Sequence, residues 1–138
     1  MPQFILDHGT PEAACDFTKL DAFTRAYVEA MFFTDANSDS EDLADATFAE
    51  LAPEALKSIT EDCSDFQTSF AELLERAYTN GAYDETYAGH DFWLTRNRHG
   101  AGFWDRGLGD VGKQLTDMSH PYGEVSLYRG DDGLIYLA

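Results

Sequence analysis

The chain has 138 residues, a formal net charge of −17, and a composition that is 43% hydrophobic and 14% aromatic. So much packing material excludes a disordered acidic tail and suits a single domain spanning 1–138, while the charge excludes nucleic acid and anionic membrane as direct partners. No stretch approaches the roughly 18 apolar residues of a membrane span, and residues 1–12 lack the basic and long apolar regions of a signal peptide, so a soluble, cytoplasmic protein is expected.

In chain order, Phe4–Leu6 is a short apolar run that predicts an edge strand. From Thr18, the spacing of Leu20, Phe23, Tyr27, Ala30 and Met31 predicts an amphipathic helix ending near Thr34. Residues Asp35–Asp42 read as a polar acidic loop opening a second helix over Asp42–Leu51. Pro53 suits the first turn of a third helix. Leu56, Ile59, Cys63, Phe66, Phe70, Leu73 and Ala77 extend this helix to Asn80–Gly81 as a seam of alternating three- and four-residue spacing. The seam could pack on the helix beginning at Thr18 within one chain, or pair with a second copy as a homodimer. Cys63 lies on the seam, where a buried free thiol is expected, and nothing in its spacing from Cys15 indicates a disulfide framework or zinc site.

After Gly89 the pattern turns to glycine, aromatics and alternation. His90–Asn97 reads as a strand, Gly107–Tyr122 contains a short helix through Val111, Leu115 and Met118, and residues 123–137 read as a hairpin turning at Gly130–Gly133. The expected architecture is α+β, with an acidic, mainly helical part (1–88) packed against a small, mostly antiparallel sheet from a glycine- and aromatic-rich part (89–138).

The charge is uneven. Residues 1–88 hold nineteen Asp and Glu against four Lys and Arg, whereas 89–138 hold seven against five. Such a one-signed region repels itself, and the partner it attracts is basic. A solvated acidic coat serving solubility is the alternative reading. The candidate partner-binding residues are Asp35, Asp39, Glu41, Asp42, Asp45, Glu50, Glu54, Glu61, Asp62, Asp65, Glu72 and Glu75. Five acids along about 30 Å of helix are sparser than duplex DNA, with about one charge per 1.7 Å, so a second acidic row is needed to imitate it.

Two chemical readings compete with this one. Asp35, Asn37 and Asp39 occupy the first positions of an EF-hand-like loop, but Ser40 stands where the turn needs Gly and Ala46 where a bidentate Glu is needed. No metal or other cofactor is therefore expected. His90 or His99, oriented by Asp91 or Asp105, could form the general base of a small hydrolase or metal-dependent enzyme. No nucleophile elbow, HExxH motif or P-loop accompanies them. The structural alternative is that His99–Gly102 forms a tight turn, with Trp93, Phe103 and Trp104 building the core over the sheet. A non-enzymatic protein is expected.

The stretch GHDFWLTRNRHGAGFWDRGLGD, with the terminal EVSLYRGDDGLIYL, resembles a family of small, mostly uncharacterised bacteriophage proteins over positions 88 to 137. In size and charge the chain is also similar to acidic phage DNA mimics, which act on restriction enzymes, nucleases and topoisomerases such as DNA gyrase. That resemblance implies an inhibitor occupying the DNA groove of a host enzyme, with gyrase favoured and a restriction or repair nuclease next. A phage accessory or scaffold protein is the further alternative.

Overall fold

The computed structural model describes residues 6–35, 43 and 45–138. These hold six α-helices, α1 Pro11–Thr18, α2 Ala22–Asp35, α3 Pro53–Ser69, α4 Ala71–Tyr78, α5 Glu85–Arg96 and α6 Asp110–Ser119. A hairpin of β1 Leu127–Arg129 and β2 Ile135–Leu137 completes the α+β architecture.

The helix predicted from Thr18 is α2, which begins at Ala22, and a further short helix, α1, precedes it. Thr10 Oγ1 accepts the Ala13 amide at 3.1 Å to cap α1, with Pro11 at its first turn. Asp21 then accepts the Thr24 amide at 2.8 Å and starts α2. The second predicted helix is corrected: its described residues hold no α-helix, and Phe48–Glu50 form a 3₁₀ turn. Ala52 precedes Pro53, which disfavours helical backbone, and it takes ψ 144°. Its amide donates to the Ile135 carbonyl at 2.9 Å, so this strip joins the edge of β2 instead. Phe4 and Ile5 of the expected edge strand lie outside the described residues, and Leu6 is in no strand.

The long third helix breaks at Phe70, whose φ −120° and ψ 29° leave the helical region. The buried stripe of α3 (Ile59, Cys63, Phe66) therefore does not continue in register, and α4 buries Leu74 and Ala77 while Leu73 stays half-buried. The seam is filled by its own chain. Phe66 stacks on Phe92 at 4.2 Å, on Phe103 at 5.9 Å and on Phe23 at 6.1 Å.

The largest correction is His90–Asn97, which is helix rather than strand. Asp84 caps α5 by accepting the Tyr87 amide at 3.0 Å. From Ala88 to Arg96 every residue except Leu94 is buried. A helix enclosed on all sides has no polar stripe, so its periodicity vanishes and its aromatic content mimics a strand. Packing of α2 on α5 dominates the interior. Gly89 makes the approach possible, since a Cβ there would lie 2.0 Å from the Phe23 carbonyl oxygen.

The predicted hairpin and short helix α6 are present. Tyr128 pairs with Tyr136, and the turn closes with Gly133 at φ 84° donating to the Gly130 carbonyl at 3.0 Å. One cluster of buried side chains draws on both halves, from Ala13 to Ile135.

Candidate functional site

The helices α3 and α4 direct their polar faces to solvent. Glu54, Glu61, Asp65, Glu72 and Glu75 are all exposed, and Lys57 and Arg76 are the only cations on these two helices. Lys57 reaches Glu61 at 3.8 Å, an exposed pair that neutralises little. Thr60, Ser64 and Thr68 line a shallow groove with Glu61 and Asp65. A second depression holds Glu72, Glu75, Arg76 and Thr79. The carboxylates in this arrangement accept hydrogen bonds from a donor-rich surface such as Lys and Arg side chains, and the hydroxyls can both accept and donate.

The remaining candidate acids separate by what they touch. Asp62 Oδ2 lies 2.8 Å from Arg96 Nη1, and Glu50 Oε2 lies 2.7 Å from Arg129 Nη1. Asp35 Oδ2 accepts the Leu127 amide at 2.9 Å, holding the hairpin against the end of α2. Asp65 accepts a hydrogen bond from the Tyr122 hydroxyl. Asp45 is exposed, with φ 63° in the left-handed region. Asp39, Glu41 and Asp42 lie outside the described residues, as do Asn37 and Ser40 of the EF-hand-like pattern. Among the described candidates, Asp35, Glu50 and Asp62 are thus engaged inside the fold, Glu54, Glu61, Glu72 and Glu75 are directed outward on α3 and α4, and Asp65 is both exposed and bonded to Tyr122.

The partners of the engaged acids were not legible in the sequence. Arg96 is buried at the end of α5 and donates to Asp62, to the Tyr27 hydroxyl at 3.0 Å, and to the Gly123 and Tyr122 carbonyls at 2.8 Å each. Arg106 donates to both oxygens of Asp91, at 2.8 and 3.1 Å. These arginines, with Arg129, come from the nearly neutral half. Their charge is consumed by carboxylates rather than displayed, which leaves the outer surface more one-signed than composition alone implies.

The four residues of the catalytic reading have separate surroundings. Asp91 is fully enclosed and also accepts the Tyr83 hydroxyl at 2.7 Å. Burial pushes its carboxyl up, against the pull of Arg106 and Tyr83. His90 is buried on the neighbouring turn position, with Nε2 4.0 Å from Glu29 Oε1. Burial, aided by the charge of Arg106, pushes its imidazole down to about 4, so it is neutral at physiological pH. Asp105 is exposed. His99 is half-buried and lines a cleft of about 270 Å³ with Asp35, Asn97, Glu124 and Ser126. A carboxylate saturated by a bidentate arginine and a tyrosine has no lone pair directed at either histidine, so the chemistry of a histidine–aspartate base is not assembled on Asp91.

Trp93 is fully buried and its indole donates to Thr34 Oγ1 at 2.8 Å, but Trp104 is 46% exposed, which corrects its assignment to the core. Gly102 is pressed against its indole, so the glycine-rich turn carries Trp104 outward. Cys63 is a buried free thiol, as expected, and Cys15 is exposed. Among the described residues no three His, Cys, Asp or Glu side chains are grouped to hold a metal ion, and no helix is long and apolar enough to cross a membrane. Compared with known proteins, the chain matches no family model, no curated protein and no solved structure.

Proposed function

We propose that this protein is a phage-type acidic DNA mimic that acts in the host cytoplasm, binding a basic DNA-binding enzyme and occupying its DNA groove, with DNA gyrase the favoured target. The observation that carries this reading is the outer face of α3 and α4, where Glu54, Glu61, Asp65, Glu72 and Glu75 face solvent with only Lys57 and Arg76 among them. The pairing of Arg96, Arg106 and Arg129 with Asp62, Asp91 and Glu50 supports it, because these cations neutralise other carboxylates and leave the outward acids of α3 and α4 uncompensated by them. The choice of a host enzyme belongs to the same proposal, as what a phage origin of residues 88–137 would imply.

The mechanism needs no bond-making step. Exposed carboxylates meet the lysines and arginines that otherwise hold phosphates, electrostatic attraction speeds the encounter, and occupation excludes DNA. The break at Phe70 interrupts the row of acids between α3 and α4, so complementarity depends on the shape of one groove and inhibition is selective.

The test is capture. The immobilised protein, incubated with bacterial lysate treated with nuclease, should retain gyrase and release it as salt shortens the Debye length from about 10 Å to about 3 Å. Retention of a different DNA-binding enzyme would move the target within the same mechanism. Retention confined to proteins that bind no nucleic acid would contradict the mechanism.

A further inference from the structure

Two dipeptides of this chain, Asn80–Gly81 and Asp132–Gly133, share one chemical liability. In each, a side-chain carbonyl carbon precedes a backbone nitrogen that no Cβ shields or restrains. The fold treats them in opposite ways.

Asp132–Gly133 sits in the β1–β2 turn. Asp132 Oδ1 accepts the Leu134 amide at 3.0 Å and its Oδ2 accepts the Tyr136 hydroxyl. Gly133 N donates to the Gly130 carbonyl. The nitrogen and the carboxylate are both held in place, and the hydrogen bond from Tyr136 keeps that carboxyl ionised and weakly electrophilic.

Asn80–Gly81 sits in the linker from α4 to α5, and both residues are exposed. Among the described residues the Gly81 amide has no hydrogen-bond acceptor. A Cβ placed on Gly81 would meet nothing within 4 Å, so no neighbour obstructs the backbone there. Asn80 Oδ1 accepts the Ala82 amide at 3.3 Å. That donor faces the oxygen on which negative charge builds when Cγ is attacked.

We propose that Asn80 is a site of spontaneous deamidation through a succinimide, and that the fold withholds the same reaction from Asp132. The Gly81 nitrogen gives its proton to solvent and attacks Asn80 Cγ. The new N–Cγ bond replaces the Cγ–NH2 bond, and the amide nitrogen leaves as ammonia after taking up a proton. Water then opens the five-membered imide at either carbonyl, leaving aspartate or isoaspartate at position 80. Neither step changes oxidation state.

Both products put a negative charge at the C-terminal end of α4, where the helix dipole disfavours it, beside the depression formed by Glu72, Glu75 and Thr79. Isoaspartate also adds a methylene to the main chain. The linker transmits that change inward, because the Tyr83 amide donates to the Asn80 carbonyl at 2.9 Å while the Tyr83 hydroxyl donates to buried Asp91. Deamidation thus acts as a slow timer that adds charge at one end of the acidic face and loosens the Tyr83–Asp91–Arg106 cluster behind it.

The test ages the folded protein for days at mildly alkaline pH and maps its peptides by mass. The Asn80 peptide should convert to two products in which an amide NH2 has become OH, one of them methylated by isoaspartyl methyltransferase, while the Asp132 peptide stays unchanged. Gly81→Ala, which meets no neighbour, should slow conversion roughly tenfold by restraining and shielding the nitrogen. In urea, the Asp132 peptide should begin to isomerise as well. Asn80 surviving in the folded protein while it converts in urea would overturn the proposal, as would isomerisation of Asp132 in the folded protein at the rate of Asn80. In the isoaspartate form the Tyr83 amide should exchange with solvent several-fold faster, and unchanged protection there would overturn the transmitted effect.

Discussion

Arg96 Nη1 and Asp62 Oδ2 lie 2.8 Å apart, joining the end of α5 to the middle of the acidic helix α3. Arg96 is 3% exposed, and every group to which it donates a hydrogen bond is an oxygen from α2, α3 or the segment after α6. The pair makes Asp62 part of the framework that supports the acidic face rather than part of the face itself. Arg96→Ala leaves Asp62 and the Tyr122 and Gly123 carbonyls without their shared donor, and should cost about 3–5 kcal/mol in urea denaturation. A loss below about 1 kcal/mol would mean that water replaces the guanidinium without penalty.

The two tryptophans should behave differently. Trp93 is fully buried and meets the Tyr27 ring edge-on at 5.4 Å, so Trp93→Ala should destabilise the fold by about 3–5 kcal/mol. Trp104 is half in solvent, and Trp104→Ala should change stability by no more than about 0.5–1 kcal/mol. Thermal melts of the two variants check this directly, and equal losses would place both rings in the core.

Gly89 sits inside α5, where alanine has the higher helix propensity. Even so, Gly89→Ala should destabilise the protein by about 1–3 kcal/mol, because the new methyl meets the Phe23 carbonyl oxygen and Ala26 Cβ. A variant as stable as wild type would mean that α2 and α5 can separate freely.

His90 links stability to pH. Its imidazole titrates near 6.5 in an unfolded chain and at about 4 in the fold, where burial and then the charge of Arg106 disfavour the cation. The unfolded state therefore binds more protons between these values. The contribution is fully present above about 6.5 and is lost as pH falls toward about 4, on the order of 3 kcal/mol in total. Glu29, pushed up by burial, contributes with the opposite slope, but it is common to both proteins when wild type is compared with His90→Gln. Denaturation free energies across this window should fall more steeply for wild type, and parallel curves would contradict a buried neutral His90.

Several elements were legible because their patterns are local. The β1–β2 hairpin announces its turn with Gly130–Gly133, Pro53 marks the start of α3, and Ile59, Cys63 and Phe66 mark its buried stripe. The central helix α5 was not legible, because burial on all sides erases the periodicity that separates helix from strand. Its one local signal was Asp84 as a cap with Glu85 in the first turn. The break at Phe70 was hidden for another reason: an unbroken apolar seam reads as one helix unless the tertiary contacts of Phe66 and Leu74 are known. In the acidic face, sequence located the carboxylates, but only long-range pairs such as Arg96–Asp62 and Arg129–Glu50 separate framework acids from outward ones. Charge reversal aimed at the face should therefore spare Asp62 and use Glu72 and Glu75.

The central claim is that the outward acids of α3 and α4 compete with DNA, and fluorescence anisotropy of labelled duplex bound to gyrase tests it most directly. Titrating in the wild-type protein should release the duplex completely, with no affinity of this protein for the duplex alone. The Asp117→Lys/Asp131→Lys variant should release it comparably, since both residues are exposed and neither belongs to α3 or α4. The Glu72→Lys/Glu75→Lys variant, with the same change in net charge, should need at least about tenfold more protein, or about 1.4 kcal/mol of lost binding. A saturated complex in which gyrase holds this protein and the duplex together, with anisotropy unchanged, would contradict the account.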